Sequence, residues 1–171
     1  MQQVLAEINR QKYPCTHLKF LKDGFEGVYL LTEADTLHFT FGVPAPINEY
    51  QMTIVFHDTF CDVLAFPHPT IILPDYIQAS EQVTNCINGY VKIPDSSGKF
   101  YVDEEYLDFV YSARISYRYL EAFPDLAIKD GAFGYLPFMA DVGNFVFQVA
   151  QGQMPAEEAC QHIVSLWGVE S

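Results

Sequence analysis

The stretch Leu107-Asp-Phe-Val-Tyr-Ser-Ala-Arg-Ile-Ser-Tyr-Arg-Tyr119 alternates apolar and polar side chains over thirteen residues, with Val110 as the one apolar residue on the polar side. Side chains two positions apart lie on the same face of a β-strand. The period therefore predicts a long strand with one covered face. A helix over residues 112–123 is the competing interpretation of the same stretch.

Shorter runs on either side extend the pattern. Further strands are predicted at residues 17–21, 26–32, 36–41, 51–57 and 99–103. Helices are predicted at residues 2–12, 75–90 and 137–151, and from Pro155 onward. Residues 61–74 are apolar but interrupted by prolines, so we expect an extended crossing segment and no regular strand there. Residues 121–136 are expected to form a loop with at most one helical turn.

These elements predict a single α+β domain over residues 1–171. Strands joined by short turns are antiparallel neighbours, and the order α-β-β-β(-β)-α-β-β-α-α places the helices on one side of an antiparallel sheet. A chain of 171 residues has the usual length of one domain.

The charge of the chain excludes several classes of partner. Nine Lys and Arg residues against 22 Asp and Glu residues give a net charge of −13. Nucleic acid and anionic membrane surfaces are recognised by basic patches, so neither is an expected partner. The first residues lack the basic and apolar regions of a signal peptide, and no apolar stretch approaches the ~18 residues that span a bilayer. We therefore expect a cytoplasmic protein.

The four cysteines, Cys15, Cys61, Cys86 and Cys160, have spacings that match no zinc pattern. Each lies in an apolar neighbourhood, which favours reduced, mostly buried thiols in a reducing compartment. The sequence predicts neither a metal nor any other cofactor. Whether Cys61 or Cys86 pairs with a histidine in space to form a reactive thiol stays open at this point.

An enzyme is the alternative to a binding protein. The adjacent pair His57-Asp58 resembles the metal ligands of phosphohydrolases, so a small hydrolase or metal-dependent enzyme would use these two residues with spatial neighbours. The remaining histidines are scattered, and the sequence contains neither a G-x-S-x-G nucleophile motif nor a phosphate-binding loop. A third class, a binder of an apolar ligand within the aromatic core, would need an internal cavity.

Five short pieces in the second half of the chain occur in a familiar order: Thr84-Asn-Cys-Ile-Asn88, Gly98-Lys-Phe-Tyr-Val-Asp103, Leu107-Asp-Phe-Val-Tyr111, Val149-Ala-Gln-Gly152 and Glu157-Glu-Ala159. This order resembles the YbjN-like family of bacterial proteins, described as sensory transduction regulators. The resemblance implies the fold of the type III secretion chaperones. It also implies a non-enzymatic, protein-binding or regulatory role, often as a dimer.

The long predicted strand supplies the candidate interaction surface, which consists of Ile115, Tyr117, Tyr119, Arg114 and Arg118. A thirteen-residue strand is about 40 Å long at ~3.3 Å per residue and outruns its neighbours. Its apolar end would be exposed to water unless the helix beginning at Pro137 or a second copy covered it, and we predict a homodimer. The two arginines are expected to pair with acids on a neighbouring strand or to face an acidic partner segment.

The function predicted from these features is that of a non-catalytic module that binds or regulates a protein partner. Such a module would be a chaperone-like adaptor in a bacterial cytoplasm. Exposed apolar side chains would supply affinity for a partner segment, and the charged surface would supply orientation.

Overall fold

The described part of the chain contains five strands, β1 (Thr36–Gly42), β2 (Glu49–Phe56), β3 (Phe60–His68), β4 (Lys99–Asp103) and β5 (Asp108–Ser116). They form one antiparallel sheet in the order β1-β2-β3-β5-β4. The computed structural model describes residues 36–42, 47, 49–68, 71–93 and 96–168. The predicted helix at 2–12, the predicted strands at 17–21 and 26–32, and Cys15 lie outside these residues.

The central strand β3 corrects the prediction for residues 61–74. The chain forms a regular nine-residue strand there, paired with β2 on one side and β5 on the other. Pairing with β5 ends at Ala65, whereas pairing with β2 continues through Pro67 to His68. Pro67 thus lies where one flank of the strand has no β5 neighbour. A residue that lacks a backbone donor is tolerated at such an edge.

Strand β5 is shorter than the alternation predicts. It ends at Ser116, which pairs with Phe60, the first residue of β3. Beyond Ser116 no β3 residue remains to pair with, and the chain turns into a helix, α2 (Tyr117–Ala122). Leu107, at the other end, has a φ of 57° and belongs to a turn. The thirteen-residue strand is therefore wrong at both ends, and the competing helix over 112–123 is right for its second half.

The helices in chain order are α1 (Ile77–Tyr90), α2, α3 (Pro124–Ile128), α4 (Leu136–Ala150) and α5 (Ala156–Trp167). The predictions for α1, α4 and α5 are confirmed to within two residues. Between α3 and α4 the chain forms a π-helical turn at Lys129–Phe133. The loop predicted for residues 121–136 is thus wrong, because Pro124 at the start of α3 begins a helix, a position in which its fixed φ is favourable.

The core lies between one sheet face and the helices. Alternate residues of the central strands, including Met52, Val63 and Tyr111, are fully buried there. Aromatic rings from the helical layer pack against the sheet, with Tyr135 stacked on Tyr111 at a centroid distance of 4.1 Å and Phe138 at 5.9 Å from Phe100. This α+β arrangement agrees with the predicted fold class. Among the described residues, no helix combines the length and apolar character needed to cross a bilayer.

Candidate functional site

Ile115 lies in the hydrophobic core and not on the surface that the sequence predicts. Only 2% of its surface is exposed. A Cβ atom placed on Gly131 would collide with the Ile115 side chain, so the backbone of the π turn rests directly against it. Ile115 is therefore unavailable for direct contact with a partner.

Tyr117 and Tyr119 are half-buried on α2 and contact other parts of their own chain. The hydroxyl of Tyr117 donates a hydrogen bond of 2.7 Å to the carbonyl of His57, and that of Tyr119 donates one of 2.7 Å to Oδ2 of Asp130. The carboxylate of Asp130 raises the pKa of Tyr119, since the hydrogen bond favours the protonated phenol. These tyrosines do not form the exposed apolar end predicted for a long strand, so the homodimer stays a prediction without that support.

Arg114 lies on the other face of β5 and holds an exposed ion pair. Its Nε donates to Oδ1 of Asp62 at 2.8 Å and its Nη2 donates to Oδ2 at 3.3 Å, an arrangement with two contacts to one carboxylate. The guanidinium carbon lies 4.0 Å from the centre of the Phe60 ring. Pairing with an acid on a neighbouring strand, one of the two predicted roles of Arg114, is confirmed. Arg118 is exposed on the helix α2 and not on the strand face that carries Arg114, so the predicted surface does not hold the two arginines on one strand. Arg118 has no partner among the described residues.

Asp62 is the carboxylate at which the side chains of Arg114 and His57 meet. Besides Arg114, Nε2 of His57 lies 3.1 Å from Oδ2 of Asp62. The hydrogen bond from Arg114 is the largest influence and lowers the pKa of Asp62, against a smaller opposing effect of burial. His57, one of the two residues of the hydrolase hypothesis, thus has Asp62 as a spatial neighbour. Within the part of the chain that the structure describes, no three His, Cys, Asp or Glu side chains lie close enough together to hold a metal ion.

The described cysteines are placed as thiols without a histidine partner. Burial raises the pKa of Cys61, in β3, to about 11. Cys160 of α5 lies against α1, where its thiol donates a hydrogen bond of 3.9 Å to the carbonyl of Gln82. Burial, and after it the neighbouring thiol of Cys86, raise the pKa of Cys160 to about 12. A raised pKa disfavours the thiolate, which is the nucleophilic form. All three described cysteines are free, and Cys61 and Cys86 are buried.

Asn88 closes part of the free edge of the sheet. Among the described strands β4 is the last of the sheet, and its outward-facing backbone at Phe100 is met by a side chain instead of another strand. The Asn88 amide donates from Nδ2 to the Phe100 carbonyl (2.6 Å) and accepts at Oδ1 from the Phe100 N–H (3.0 Å). This contact anchors α1 to β4 and protects an edge that could otherwise pair with another chain.

A groove of about 560 Å³ crosses the exposed face of β4 and β5 beside this edge. We call it the sheet groove. Its polar lining consists of Asp62, Asn88, Ser97, Lys99, Tyr101, Ser112 and Arg114. A smaller cavity of about 210 Å³, the edge pocket, adjoins it and shares Asn88 and Lys99, with Lys92 and Ser96 among its other lining residues.

Sequence reasoning identified only Arg114 of these lining residues. The others come from α1, β3, β4 and the segment before β4, and only the strand order β3-β5-β4 brings them together. In the sequence, Asn88 is part of an Asn-Gly pair that indicates the end of a helix. That pattern does not predict its contact with Phe100, which is twelve residues away. One available signal was the number of basic residues around β4 and β5 in a chain of net charge −13.

Comparison of the chain with protein-family models, with curated proteins and with solved structures finds no match.

Proposed function

We propose that this protein is a non-catalytic protein-binding or regulatory module, a chaperone-like adaptor, which holds a segment of a protein partner in the sheet groove. The unused hydrogen-bonding capacity of the groove is the observation that carries the proposal. Lys99, Tyr101 and Ser112 line it, and their polar side-chain atoms have no hydrogen-bond partner among the described residues. Such groups can exchange water for a ligand that supplies acceptors, each exchange giving a modest net gain.

The shape and chemistry of the groove also suit a segment better than a reaction. The groove lies on a sheet face open to solvent. General acid–base and nucleophilic catalysis work best in a site that excludes water. A stable sheet with hydroxyl, amide and charged side chains instead presents a fixed pattern of donors to an extended chain.

The wider setting of the proposal comes from the resemblance over residues 88–159. On that resemblance the chain would be a YbjN-like regulator with a type III secretion chaperone-like fold, acting in a bacterial cytoplasm. An antiparallel sheet with helices on one side is compatible with that expectation. A homodimer remains part of the proposal, formed by some surface other than Ile115, Tyr117 and Tyr119.

Selection from a displayed peptide library tests the proposal. Wild-type protein is compared with Ser112→Trp, in which the indole fills the centre of the groove. Gln51→Trp is the matched control, because Gln51 is an exposed residue of β2 outside the groove. Circular dichroism checks that all three proteins are folded.

We expect peptides that bind the wild type and Gln51→Trp but are lost with Ser112→Trp. A selection in which Ser112→Trp retains the same peptides as the wild type would contradict a binding site in the groove. A selection that enriches no sequence on the wild type would contradict the protein-binding function itself.

A further inference from the structure

The sheet groove and the edge pocket concentrate positive charge on a strongly acidic protein. The whole chain has a net charge of −13. Yet Lys99 and Arg114 line the sheet groove, Lys92 and Lys99 line the edge pocket, and Asp62 is the one carboxylate that the described residues contribute to either lining. The surface around Asn88 and Lys99 is thus locally basic.

These charges are available to a ligand. Lys92 and Lys99 have no ion pair within the described part of the chain. Arg114 uses Nε and Nη2 on Asp62, and a guanidinium has further N–H donors beyond those two contacts. Asp62 is already engaged by Arg114 and His57, so it compensates little of the positive charge of Lys92 and Lys99.

The spacing of the charges corresponds to that of an extended backbone. Lys99 lies opposite Ser112, and Arg114 is two residues farther along the same face of β5. Lys99 and Arg114 are therefore diagonal neighbours on two antiparallel strands, which lie about 7–8 Å apart. This is close to the ~7 Å between alternate side chains of an extended peptide. The hydroxyls of Tyr101 and Ser112 lie in the same groove as additional donors.

We infer that the sheet groove binds an acidic segment in extended conformation, with carboxylates at alternate positions that meet Lys99 and Arg114. This inference rests on the proposed function and specifies the chemistry of the partner. Complementary charge steers association and fixes register even where it adds little affinity. Lys92, in the edge pocket, extends the basic surface past Asn88 and accommodates a third carboxylate.

Fluorescence anisotropy with defined peptides tests the inference on the full chain. The probe is labelled, end-blocked (Ser-Glu)4, and the comparison peptides are (Ser-Gln)4 and a peptide with the same four glutamates in one block. Charge reversal of Lys99 to glutamate is matched by Arg118→Glu, which changes the net charge equally on an exposed residue outside both linings. Lys99→Arg preserves the charge.

We expect (Ser-Glu)4 to bind at least ten-fold more tightly than (Ser-Gln)4, and more tightly than the block peptide. Lys99→Glu should weaken that binding at least ten-fold. Arg118→Glu and Lys99→Arg should each change it less than three-fold. Raising the salt concentration should weaken binding, because the interaction is electrostatic and exposed to solvent.

Several results would overturn the inference. Equal binding of the Glu and Gln peptides would remove the role of charge, and an equal loss with Lys99→Glu and Arg118→Glu would show a general charge effect. A short single-stranded DNA that displaces (Ser-Glu)4 at lower concentration than the unlabelled peptide would identify a nucleic-acid site instead. Displacement by added protein, accompanied by a larger particle, would identify a second copy as the occupant.

The peptide selection separates this inference from the proposed function. Enriched sequences that depend on an open groove at Ser112 but lack acidic residues would leave the protein-binding function in place and overturn the acidic partner. In the opposite case, the selection enriches no groove-dependent sequence, while (Ser-Glu)4 binds and Lys99→Glu abolishes that binding. The groove then binds acidic ligands, and the proposed protein-binding function is contradicted.

Discussion

The last residues of β5 and the first residues of α2 have the same alternating sequence pattern but different structures. In β5, Ala113 and Ile115 are buried while Arg114 and Ser116 are exposed, as a strand with one covered face requires. From Tyr117 onward aromatic and polar residues still alternate, but the chain is helical and Leu120 is its buried residue.

The difference shows that a strand ends where its partner ends. Ser116 pairs with Phe60, the first residue of β3, and the next residue hydrogen-bonds to the turn before β3, through the Tyr117 N–H and the carbonyl of Thr59. The side chain of Ser116 then caps α2 by accepting a hydrogen bond from the Tyr119 N–H at 3.2 Å. The alternation of apolar and polar residues indicates which side chains tolerate burial. The length of the neighbouring strand decides how many of these residues form a strand.

The two faces of β5 should respond very differently to truncation. Ile115→Ala removes a buried side chain and should cost about 3 kcal/mol of unfolding free energy, because the backbone around Gly131 cannot fill the cavity without moving. Arg114→Ala, at the adjacent exposed residue, should have a much smaller effect, since an exposed ion pair contributes little. Urea denaturation of both variants measures the contrast. Similar losses for the two would contradict the assigned register of β5.

The tyrosines of α2 are expected to stabilise the chain that contains them. Tyr117→Asp combined with Tyr119→Asp removes hydrogen bonds to His57 and Asp130 together with partly buried rings, and should cost about 2 kcal/mol. Arg118→Asp, between them and exposed, is the control and should change stability little.

Chemical denaturation and light scattering together decide between this expectation and an intermolecular role for the tyrosines. A double variant that keeps its full stability but changes from dimer to monomer would restore Tyr117 and Tyr119 to an interface between copies. A destabilised variant of unchanged oligomeric state would confirm their place within the chain.

Local signals in the sequence are sufficient for much of this fold. β4 is predicted at its observed bounds, and α4 ends where a helix-stopping glycine is expected, Gly152 having a φ of 69°. Such elements depend on neighbours in the sequence: alternation, proline near a helix start, glycine after its end. β3 and α2 depend on distant partners. Pro67 argues against a strand locally, yet its position beyond the last β5 pair makes it harmless.

The candidate site was less accessible to sequence reasoning for the same reason. Arg114 could be placed on a polar strand face, and pairing with a neighbouring acid was one of its expected roles. Asn88 appears locally as part of a helix end, although α1 continues to Tyr90 and the Asn88 amide contacts the backbone of Phe100. Lys92 and Lys99 have no local pattern that marks them, and the strand order alone places Lys99 in the same groove as Arg114.

The cap at the junction of β5 and α2 offers a smaller and more local test. Ser116→Ala removes the oxygen that accepts from Tyr119 and should cost about 1 kcal/mol, the usual effect of losing a helix cap. Ser112→Ala, a serine on the same face of β5 with no described hydrogen bond, should be close to neutral. Hydrogen exchange by NMR should show faster exchange of the Tyr119 amide in Ser116→Ala only. Unchanged exchange there would contradict the cap.

The smallest expected effect is the pH dependence of the ion pair on the exposed face of β5. Arg114 lowers the pKa of Asp62 in the folded protein relative to the ordinary aspartate value of about 3.9 in the unfolded chain. A carboxyl whose pKa is lowered on folding stabilises the protein above the unfolded value, and this contribution is lost as the pH falls through the folded value. The advantage of the wild type over Asp62→Asn should therefore be present at neutral pH and disappear on acidification below about pH 4.

Asp58→Asn is the matched control, because Asp58 is an exposed neighbour in the β2–β3 turn whose carboxylate has no described partner. Comparison of the two variants separates the contact with Arg114 from the mere loss of one negative charge. The magnitude is kept small by solvent, since Asp62 and Arg114 are both partly or largely exposed, and added salt should reduce it further. Urea midpoints across this pH range measure it, and an advantage that instead grows on acidification would show that the carboxylate of Asp62 is destabilised in the fold. In that case the contact with Arg114 would not govern the charge state of the groove.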